Sequence, residues 1–344
     1  MALGFIDGFD HYQTSDILQK WTGQLVGPAN SISTIYARGT GQGMSSSGGV
    51  GRGPYKTVWP SGSATVTVGA ACYFIANPAS TGMVFILLDG TTEQISVRGD
   101  AAGKLTVQRG ATVLATSTNV ISLNTWYYIE LKATISDAAG VIELRVNGSS
   151  TGWVPSTGSL DTKSTANAYA TGFGITMATG TSNGNYFDDV YALDSSGSVN
   201  TTFLGDCHVA PLRPQAAGNY TQWTSNGGAN FANVADDPYS DGDISFNQSA
   251  TANQIDSFVF DDIPAASGLV FGIQHVITAK KDVGAARTFA AFQRSGGVDY
   301  IGSTQNAGTS SAMYLDLKET NPATSAAWDV AAINGAEFGE KLLS

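Results

Sequence analysis

The chain has 344 residues, of which 42% are hydrophobic and only 13% charged, and its formal net charge at pH 7 is −11. This length allows two domains that each bury a hydrophobic core without the help of disulfides or structural metals. The negative charge argues against a nucleic-acid partner, because phosphate binding draws its affinity from Lys and Arg. Two cysteines are too few for a disulfide framework.

The first half of the chain reads as a series of short β-strands. The opening segment Gly4–Tyr12 predicts a strand, and the glycine- and serine-rich segment Gly39–Gly53 predicts a loop or an edge connection. Strand-like runs then recur at short spacing, with turn dipeptides such as Asp89-Gly90 and Arg109-Gly110 between them. Closely spaced strands with no helical period between them indicate a sandwich or barrel.

The segment Trp126–Gly148 predicts a long antiparallel hairpin followed by a second turn. Two runs rich in Val, Ile and Tyr alternate with charged residues, which is the period of a half-buried sheet. The dipeptide Asn147-Gly148 fits a turn that needs positive φ at both central positions. The alternating charged residues are Glu130, Lys132, Glu143 and Arg145.

Two prolines mark the boundary between the halves. Pro211 and Pro214 bracket a stretch that cannot continue a central strand. We therefore predict an N-terminal domain over residues 1–207 and a C-terminal domain over residues 208–344. The second domain reads as another strand series, so we predict an all-β chain whose C-terminal β-sandwich has one short helix, Ser325–Asn334, capped by Ser325 and ended by Gly335. The final run, residues 336–343, predicts a last strand.

Hydrolytic chemistry finds little support in the sequence. A glycosidase needs two carboxylates roughly 5–10 Å apart. Glu143 is followed two residues later by Arg145 rather than an acid, and Glu130 stands alone in its strand. Gly180–Gly184 matches G-x-S-x-G, but it lies between two strands instead of on a strand-to-helix turn. The chain has three histidines, His11, His208 and His275, and the last is predicted on a buried face.

Metal and nucleotide sites are not predicted either. Cys207-His208 has no second Cys-His pair to complete a zinc site, and Cys72 reads as a buried thiol. The acidic segment Asp236–Asp243 departs from the EF-hand order, so a solvated turn is favoured over calcium binding, as is a strand end at Asp188, Asp189 and Asp194. The segment Gly39–Gly53 lacks the order of a phosphate-binding loop. We predict no catalytic, cofactor-binding or metal residues and no cofactor.

Glycan binding stays open at this stage. Lectins use aromatic stacking and fixed hydrogen bonds to sugar hydroxyls. Several aromatic residues lie in polar, turn-rich sequence, whereas Trp126 reads as the start of a core strand. Each of them fits a sugar platform, a cover for a strand edge or a subunit interface. These residues are Trp59, Trp153, Tyr186, Trp223 and Tyr239.

Residues 1–207 resemble the concanavalin A-like (laminin G-like) jelly rolls in structural proteins of tailed bacteriophages. The matching features are FIDGFDHY, the Gly/Ser segment before SATVTVGA, the NTWYYIELKATI and IELRVNG strands, and FDDVYALD followed by TTFLGD. The remainder, through NPATSAAWDVAAINGAEFGEKL, is similar to the second domain that often follows in those proteins. The resemblance implies that the first and last strands are neighbours, with Phe5–Asp10 beside Phe187–Leu193.

The resemblance implies a non-enzymatic accessory structural protein on the exterior of a phage virion, as a capsid decoration, collar or tail component. Its partners would be other virion proteins and copies of itself, with host surface glycan as a further candidate. The alternative is a host-glycan-binding tail fibre or tip protein, and a polysaccharide depolymerase is less favoured. The N-terminus lacks a signal-peptide pattern and no apolar run approaches ~20 residues, so we expect assembly in the host bacterial cytoplasm, location in the virion and no membrane partner.

Overall fold

The computed structural model describes residues 2–25, 30–46, 53–75, 82–175, 185–264, 268–282 and 284–344. Contacts divide the chain into two compact units, Met1–Val209 and Ala210–Ser344. The predicted boundary after residue 207 lies two residues before this division. Both units consist almost entirely of antiparallel strands, which confirms the predicted all-β class.

The N-terminal unit contains fifteen strands among its described residues. A 3-10 turn at Thr14–Asp16 continues into helix α1 (Ile17–Lys20), and a second 3-10 turn covers Thr34–Tyr36. The strands are β1 (Leu3–Asp7), β2 (Gly23–Gln24), β3 (Asn30–Ser33), β4 (Gly43–Ser46), β5 (Pro54–Thr57), β6 (Thr65–Tyr73), β7 (Gly82–Asp89), β8 (Thr92–Gly99), β9 (Lys104–Arg109), β10 (Thr112–Val120), β11 (Trp126–Thr134), β12 (Gly140–Val146), β13 (Ser149–Leu160), β14 (Gly172–Ile175) and β15 (Asn185–Asp194).

These strands form two sheets that pack face to face. An eight-stranded sheet has the order β13-β12-β11-β6-β15-β4-β3, with β1 paired to β15, and a seven-stranded sheet has the order β10-β9-β8-β7-β14-β5-β2. Phe5 of the first sheet and Phe173 of the second lie with ring centroids 5.9 Å apart in the core. The predicted concanavalin A-like sandwich is confirmed at the level of this two-layer architecture.

Two local predictions for this unit are confirmed. Strands β11 and β12 pair as a hairpin, and Asn147 and Gly148 both have positive φ, 50° and 77°, in the turn to β13. Strand β1 pairs with β15, with Phe5 opposite Ala192 and Asp7 opposite Val190. The first and last strands are therefore neighbours.

The prediction that Glu130 lies on a half-solvated face is wrong. Pleating turns Ile129 and Leu131 toward the core and Glu130 to the outer face, which we define as the face of the eight-stranded sheet directed away from the other sheet. Glu130 is nevertheless fully buried. Residues 202–209 fold back across this face, where they contact Arg145, Glu130, Tyr128 and Asp189. Glu130 Oε1 accepts hydrogen bonds from the Tyr191 hydroxyl at 2.6 Å and the Gly205 amide at 2.8 Å.

The described residues of the C-terminal unit form one six-stranded sheet and two smaller strand pairs. The sheet has the order β16-β19-β25-β21-β22, with β23 paired to β21, and the pairs are β17-β18 and β20-β24. A 3-10 turn covers Ala232–Val234. The strands are β16 (Pro214–Thr221), β17 (Thr224–Ser225), β18 (Asn247–Gln248), β19 (Ile255–Phe260), β20 (Ile273–Ala279), β21 (Thr288–Ser295), β22 (Val298–Ile301), β23 (Gln305–Asn306), β24 (Ala312–Lys318) and β25 (Glu337–Leu342).

The predicted helix near the C-terminus exists but is shorter than expected. Helix α2 covers Val330–Asn334 and is capped by Asp329, whose Oδ1 accepts from the Ala332 amide at 2.7 Å. Ser325 is not the cap, because its φ of 58° places it in a turn before the helix. Gly335 ends the helix and β25 follows it, both as predicted. None of the helices in the described part of the chain has the length and apolarity to cross a bilayer.

Candidate functional site

Four aromatic side chains form a line across the outer face of the eight-stranded sheet. Tyr186, Tyr73 and Trp126 are paired across β15, β6 and β11, so strand pleating places all three on one face. Tyr36, at the end of its 3-10 turn, extends the line beyond Tyr186. We call these four residues the aromatic row.

The rings of the aromatic row contact one another in sequence. The centroids of Tyr36 and Tyr186 are 4.7 Å apart, those of Tyr186 and Tyr73 are 5.3 Å apart, and those of Tyr73 and Trp126 are 5.4 Å apart. The two central rings are parallel to within 3°, whereas the end rings tilt by 41° and 52° from their neighbours. Mutual packing of this kind fixes the ring positions without a ligand.

The polar atoms of the aromatic row remain available. All four side chains are half-buried, and neither the three tyrosine hydroxyls nor the Trp126 indole N–H bonds to any residue that the structure describes. The buried tyrosines behave differently, since the Tyr12 hydroxyl donates to Asp7 and the Tyr191 hydroxyl to Glu130. The row therefore presents apolar ring surface together with unpartnered donors.

The aromatic residues identified as candidates in the sequence lie in different parts of the structure. Tyr186 belongs to the row. Trp126 begins the central strand β11, as predicted, but its side chain lies on the outer face and belongs to the row as well. Trp59 is buried, and Trp223 donates its indole N–H to the Gln254 carbonyl at 3.3 Å in the C-terminal unit. Trp153 packs 6.5 Å from Tyr127, on the opposite face of β11 from the row. Tyr239 is exposed in the C-terminal unit.

Sequence reasoning missed Tyr36 and Tyr73. Tyr73 ends the apolar run of β6 and reads there as a core residue. Only the cross-strand register places it beside Tyr186 and Trp126, and register is a tertiary property. The alternation of Tyr73 with buried Cys72 and Phe74 is the one local signal that it faces away from the core.

A polar cluster lies beside the aromatic row on the same face. It consists of Arg38, Asp188, Asp189, Asp206 and His208. The register of β15 shifts between Asp188 and Tyr191, and Asp189 adopts a φ of 53° within this bulge. Positive φ is uncommon for residues other than glycine and often marks functional positions. Two residues along a strand cover about 7 Å, which is the step from Tyr186 to Asp188.

Asp189 is the centre of the polar cluster. Its Oδ1 accepts from His208 Nδ1 at 2.7 Å and from the Val209 amide at 2.9 Å, and its Oδ2 accepts from Arg38 Nη1 at 3.3 Å. Arg38 Nη2 also pairs with Asp206 at 2.6 Å. Asp189 is fully buried, whereas the His208 side chain is 53% exposed. The arrangement fixes one imidazole nitrogen and leaves Nε2 open to solvent.

The acids of this region titrate unusually. Burial, together with the neighbouring Asp189, raises the pKa of Asp188 to about 8. Burial also raises the pKa of Asp10, on the chain just after β1, to about 6. The hydrogen bond to Asp189 raises the pKa of His208 above its usual value. Concentrated pKa shifts are a common property of functional sites.

The remaining sequence-based candidates belong neither to the aromatic row nor to the polar cluster. Cys72 is fully buried, as predicted, and burial raises the pKa of its thiol far above the usual range. Within the acidic segment, Asp236 Oδ2 accepts from the Asp241 amide at 3.0 Å. Across the described residues, no group of three or more His, Cys, Asp or Glu is placed to hold a metal. Gly180–Gly184 lies entirely outside the described residues, as do residues 47–52 of Gly39–Gly53.

The C-terminal unit carries two separate titrating groups. Burial lowers the pKa of His275 to about 4, and its ring lies 6.0 Å from that of Phe338. Burial, followed by the charge of the cross-strand neighbour Asp256, raises the pKa of Glu340 to about 8. A carboxyl group whose pKa is higher in the folded protein than in the unfolded chain binds its proton more tightly when the protein is folded. Protonation of such a group therefore stabilises the fold.

The stability of the C-terminal unit should therefore fall as the pH rises from about 4.5 to about 8. We expect Glu340→Gln to remove this contribution, which is at most about 1.4 kcal/mol per pH unit. Because Glu340 is half-buried, solvent reduces the measured slope. Urea unfolding of the wild-type protein and of Glu340→Gln at pH 5, 7 and 9 checks this prediction. If the two proteins differ in their free energy of unfolding by the same amount at pH 5 and pH 9, the prediction is wrong.

No family model matches this chain, and neither does any curated protein. Among solved structures, a Trypanosoma rangeli sialidase shares 17% identity over 48% of this chain and 27% of that protein, with a TM-score of 0.34. A GH131 β-glucanase catalytic domain from Podospora anserina shares 15% identity over 53% of this chain and 86% of that domain, with a TM-score of 0.34. Domain 4 of AbnA, a GH43 arabinanase from Geobacillus stearothermophilus, shares 11% identity over 56% of this chain and 92% of that domain, with a TM-score of 0.35. The chain thus spans about a quarter of the sialidase.

These similar structures are carbohydrate-active proteins, and they include an alginate lyase. This finding contradicts two predictions: that the chain is a non-enzymatic component of a phage exterior, and that it is not an enzyme. Both predictions were wrong because the motifs behind them are packing and turn motifs, which specify a sandwich but not its function. TM-scores this low carry no argument about the activity of this chain.

Proposed function

We propose that the N-terminal unit binds an oligosaccharide across the aromatic row. The observation that supports this proposal is the row itself, four half-buried rings in contact with one another whose polar atoms have no partner among the described residues. Sugar rings combine apolar C–H faces with hydroxyls. Tilted aromatic rings and free hydroxyl and indole donors satisfy both parts.

The charge around the row favours a neutral sugar. The chain carries a net charge of −11, and the polar cluster next to the row contains three aspartates. Arg38 pairs with Asp189 and Asp206, so these aspartates offset its positive charge. An anionic sugar would therefore meet net repulsion, and a neutral one would not.

Trp126→Ala and Tyr186→Ala are each expected to weaken binding at least tenfold, which corresponds to about 1.4 kcal/mol. Each change removes one ring and one donor from the row. Tyr73→Phe keeps the ring but removes the hydroxyl, so it separates hydrogen bonding from ring contact. The measurement is retention of the full-length protein on a panel of immobilised neutral polysaccharides, followed by calorimetric titration with oligosaccharides of the retained type.

Trp153→Ala is the matched control, because it also removes a half-buried tryptophan. Trp153 packs against Tyr127, whose side chain lies on the opposite face of β11 from the row. Equal loss of binding in the Trp126 and Trp153 variants would contradict the proposal, as would the absence of retention by the wild-type protein. Concentration-dependent self-association that Trp126→Ala abolishes would make the row a subunit interface instead.

The tailed-phage origin, the virion location and the assembly with virion proteins stay predictions from the sequence.

A further inference from the structure

We propose that His208 and Asp189 form a proton-transfer pair that hydrolyses ester substituents on a neutral sugar held by the aromatic row. This inference rests on the proposed sugar binding. The pair supplies a base on the outer face, and Asp189 lies three residues along β15 from Tyr186 of the row, a step of roughly 10 Å. The substrate class is thus an O-acylated oligosaccharide.

The geometry of the pair suits a general base. A fully buried Asp189 Oδ1 accepts from His208 Nδ1 at 2.7 Å, which leaves Nε2 as the acceptor of a neutral imidazole. The Val209 amide and Arg38 Nη1 hold the same carboxylate, so its position is fixed from several sides. A buried carboxylate that orients a histidine and stabilises its protonated form is the arrangement found in hydrolytic triads.

Arg38 supplies the second requirement, which is stabilisation of negative charge. Among the described residues, its side chain binds Asp189 and the Cys207 carbonyl through Nη1, and Asp206 through Nη2. A guanidinium has five N–H donors, so the Nε–H and one Nη2–H remain without a partner among the described residues. Arg38 and His208 contact the two oxygens of the same carboxylate, so the guanidinium and the imidazole belong to one cluster. Such guanidinium donors can stabilise the oxyanion of an acyl-transfer intermediate.

Ester hydrolysis fits this face better than cleavage of the glycosidic bond. Glycosidases need two carboxyl groups flanking the bond, and Asp188 and Asp10 are only 2% and 6% exposed. Asp206 is exposed but is paired with Arg38. A base with an adjacent cation needs only water as co-reactant to hydrolyse an ester.

The reaction balances with water as the nucleophile. Nε2 takes a proton from water as the water oxygen bonds to the acyl carbon, and the carbonyl oxygen becomes an oxyanion beside Arg38. Collapse of this intermediate breaks the bond between the acyl carbon and the sugar oxygen. The protonated imidazole then donates its proton to that sugar oxygen. The products are a carboxylic acid and a free sugar hydroxyl, and His208 is neutral again.

Several groups next to the pair set its pH dependence. The charged or titratable groups around His208 are Asp10, Asp188, Asp189, Asp206, Arg38, Cys207 and Tyr128. Hydrogen bonding to Asp189 favours the protonated imidazole and raises the pKa of His208, so the base form appears at a higher pH than for an ordinary histidine. Activity should therefore rise with pH and level off above the pKa of His208.

Release of acetate from acetylated xylan, and of 4-nitrophenol from 4-nitrophenyl acetate, tests the proposal with the full-length protein. We expect His208→Gln to lower the rate at least 100-fold. Asp189→Asn should lower the rate and move the pH profile toward acid, because the charge that stabilises the imidazolium is lost. Trp153→Ala should leave the rate unchanged. Thermal unfolding of each variant identifies any loss that reflects misfolding alone.

Absence of release above the spontaneous rate by the wild-type protein would overturn the proposal, as would an unchanged rate in His208→Gln. Retention on deacetylated xylan is measured in parallel. If retention depends on Trp126 but no ester is hydrolysed, the hydrolytic inference fails and the sugar-binding proposal stands. If 4-nitrophenyl acetate is hydrolysed in a His208-dependent way without any polysaccharide retention, the binding proposal fails instead.

Discussion

Asp7→Ala is expected to destabilise the N-terminal unit by about 3–5 kcal/mol, the range found when one partner of a buried ion pair is removed. Asp7 is fully buried and pairs with Lys20, whose Nζ lies 3.0 Å from Oδ1 and whose side chain is only 2% exposed. The carboxylate also accepts from the Tyr12 hydroxyl at 2.6 Å and from the Trp21 indole N–H at 2.8 Å. Alanine would leave a buried ammonium and two buried donors without this partner.

The pKa shifts of this pair give the sign of its pH dependence. Burial alone would raise the pKa of Asp7, but Lys20, His11 and the hydrogen bonds outweigh it and lower the pKa below its usual value. A carboxylate with a lowered pKa stabilises the fold above its unfolded pKa, and this stabilisation is lost as the pH falls through the folded value. The wild-type advantage over Asp7→Ala should thus shrink in strong acid. Burial lowers the pKa of Lys20, so the advantage should also shrink at alkaline pH as Lys20 loses its proton.

Asp137→Ala is the matched control for Asp7→Ala. Asp137 also pairs with a lysine, at 2.9 Å from Lys163 Nζ, but its side chain is 71% exposed. Solvent-exposed pairs contribute about 0–1 kcal/mol, so this variant should unfold close to the wild-type denaturant midpoint. Equal midpoints for Asp7→Ala and Asp137→Ala would refute the importance of the buried pair.

Asp256→Ala is the corresponding prediction for the C-terminal unit, with an expected cost of about 2–4 kcal/mol from unsatisfied buried donors. Asp256 is fully buried in β19, and its Oδ1 accepts from the backbone amides of Gln222 and Trp223 at 2.7 and 2.9 Å. Its Oδ2 accepts from Asn230 Nδ2 at 2.5 Å. The loss of repulsion with Glu340 offsets part of the cost.

Asp243→Ala serves as the control in the same unit. Asp243 is 70% exposed and pairs with Lys280 at the surface, so its replacement should change stability by less than about 0.5 kcal/mol. Denaturant unfolding followed by tryptophan fluorescence reports on Trp223, which Asp256 helps to hold. An Asp256→Ala transition that coincides with that of Asp243→Ala would show that the three hydrogen bonds contribute little.

Local sequence signals predicted most of the fold because strand propensity and turn chemistry act over a few residues. Asn147-Gly148 specifies its own turn, and Gly335 ends the last helix wherever that helix begins. The start of the helix was less predictable, since Ser325 and Asp329 are both good capping residues. Which of them caps the helix depends on the turn that precedes it.

The candidate site was largely hidden because it is assembled from distant parts of the chain. Tyr186 alone of the row was a candidate, and its partners Tyr73 and Trp126 come from other strands. His208 was weighed as a metal ligand beside Cys207, whereas its actual partner is Asp189 in the β15 bulge. A bulge leaves no reliable mark in composition or periodicity, so neither contact was accessible from the sequence.

The return of residues 202–209 across the outer face also determines how the N-terminal unit can be used in isolation. A fragment that stopped before Thr202 would lose the Gly205 amide that binds Glu130 and the Cys207 thiol that contacts the Tyr128 hydroxyl at 2.9 Å. It would also lose Phe203, which lies 4.0 Å from the Arg145 guanidinium. Any fusion that borrows this unit as an affinity tag should therefore be joined at or beyond Val209.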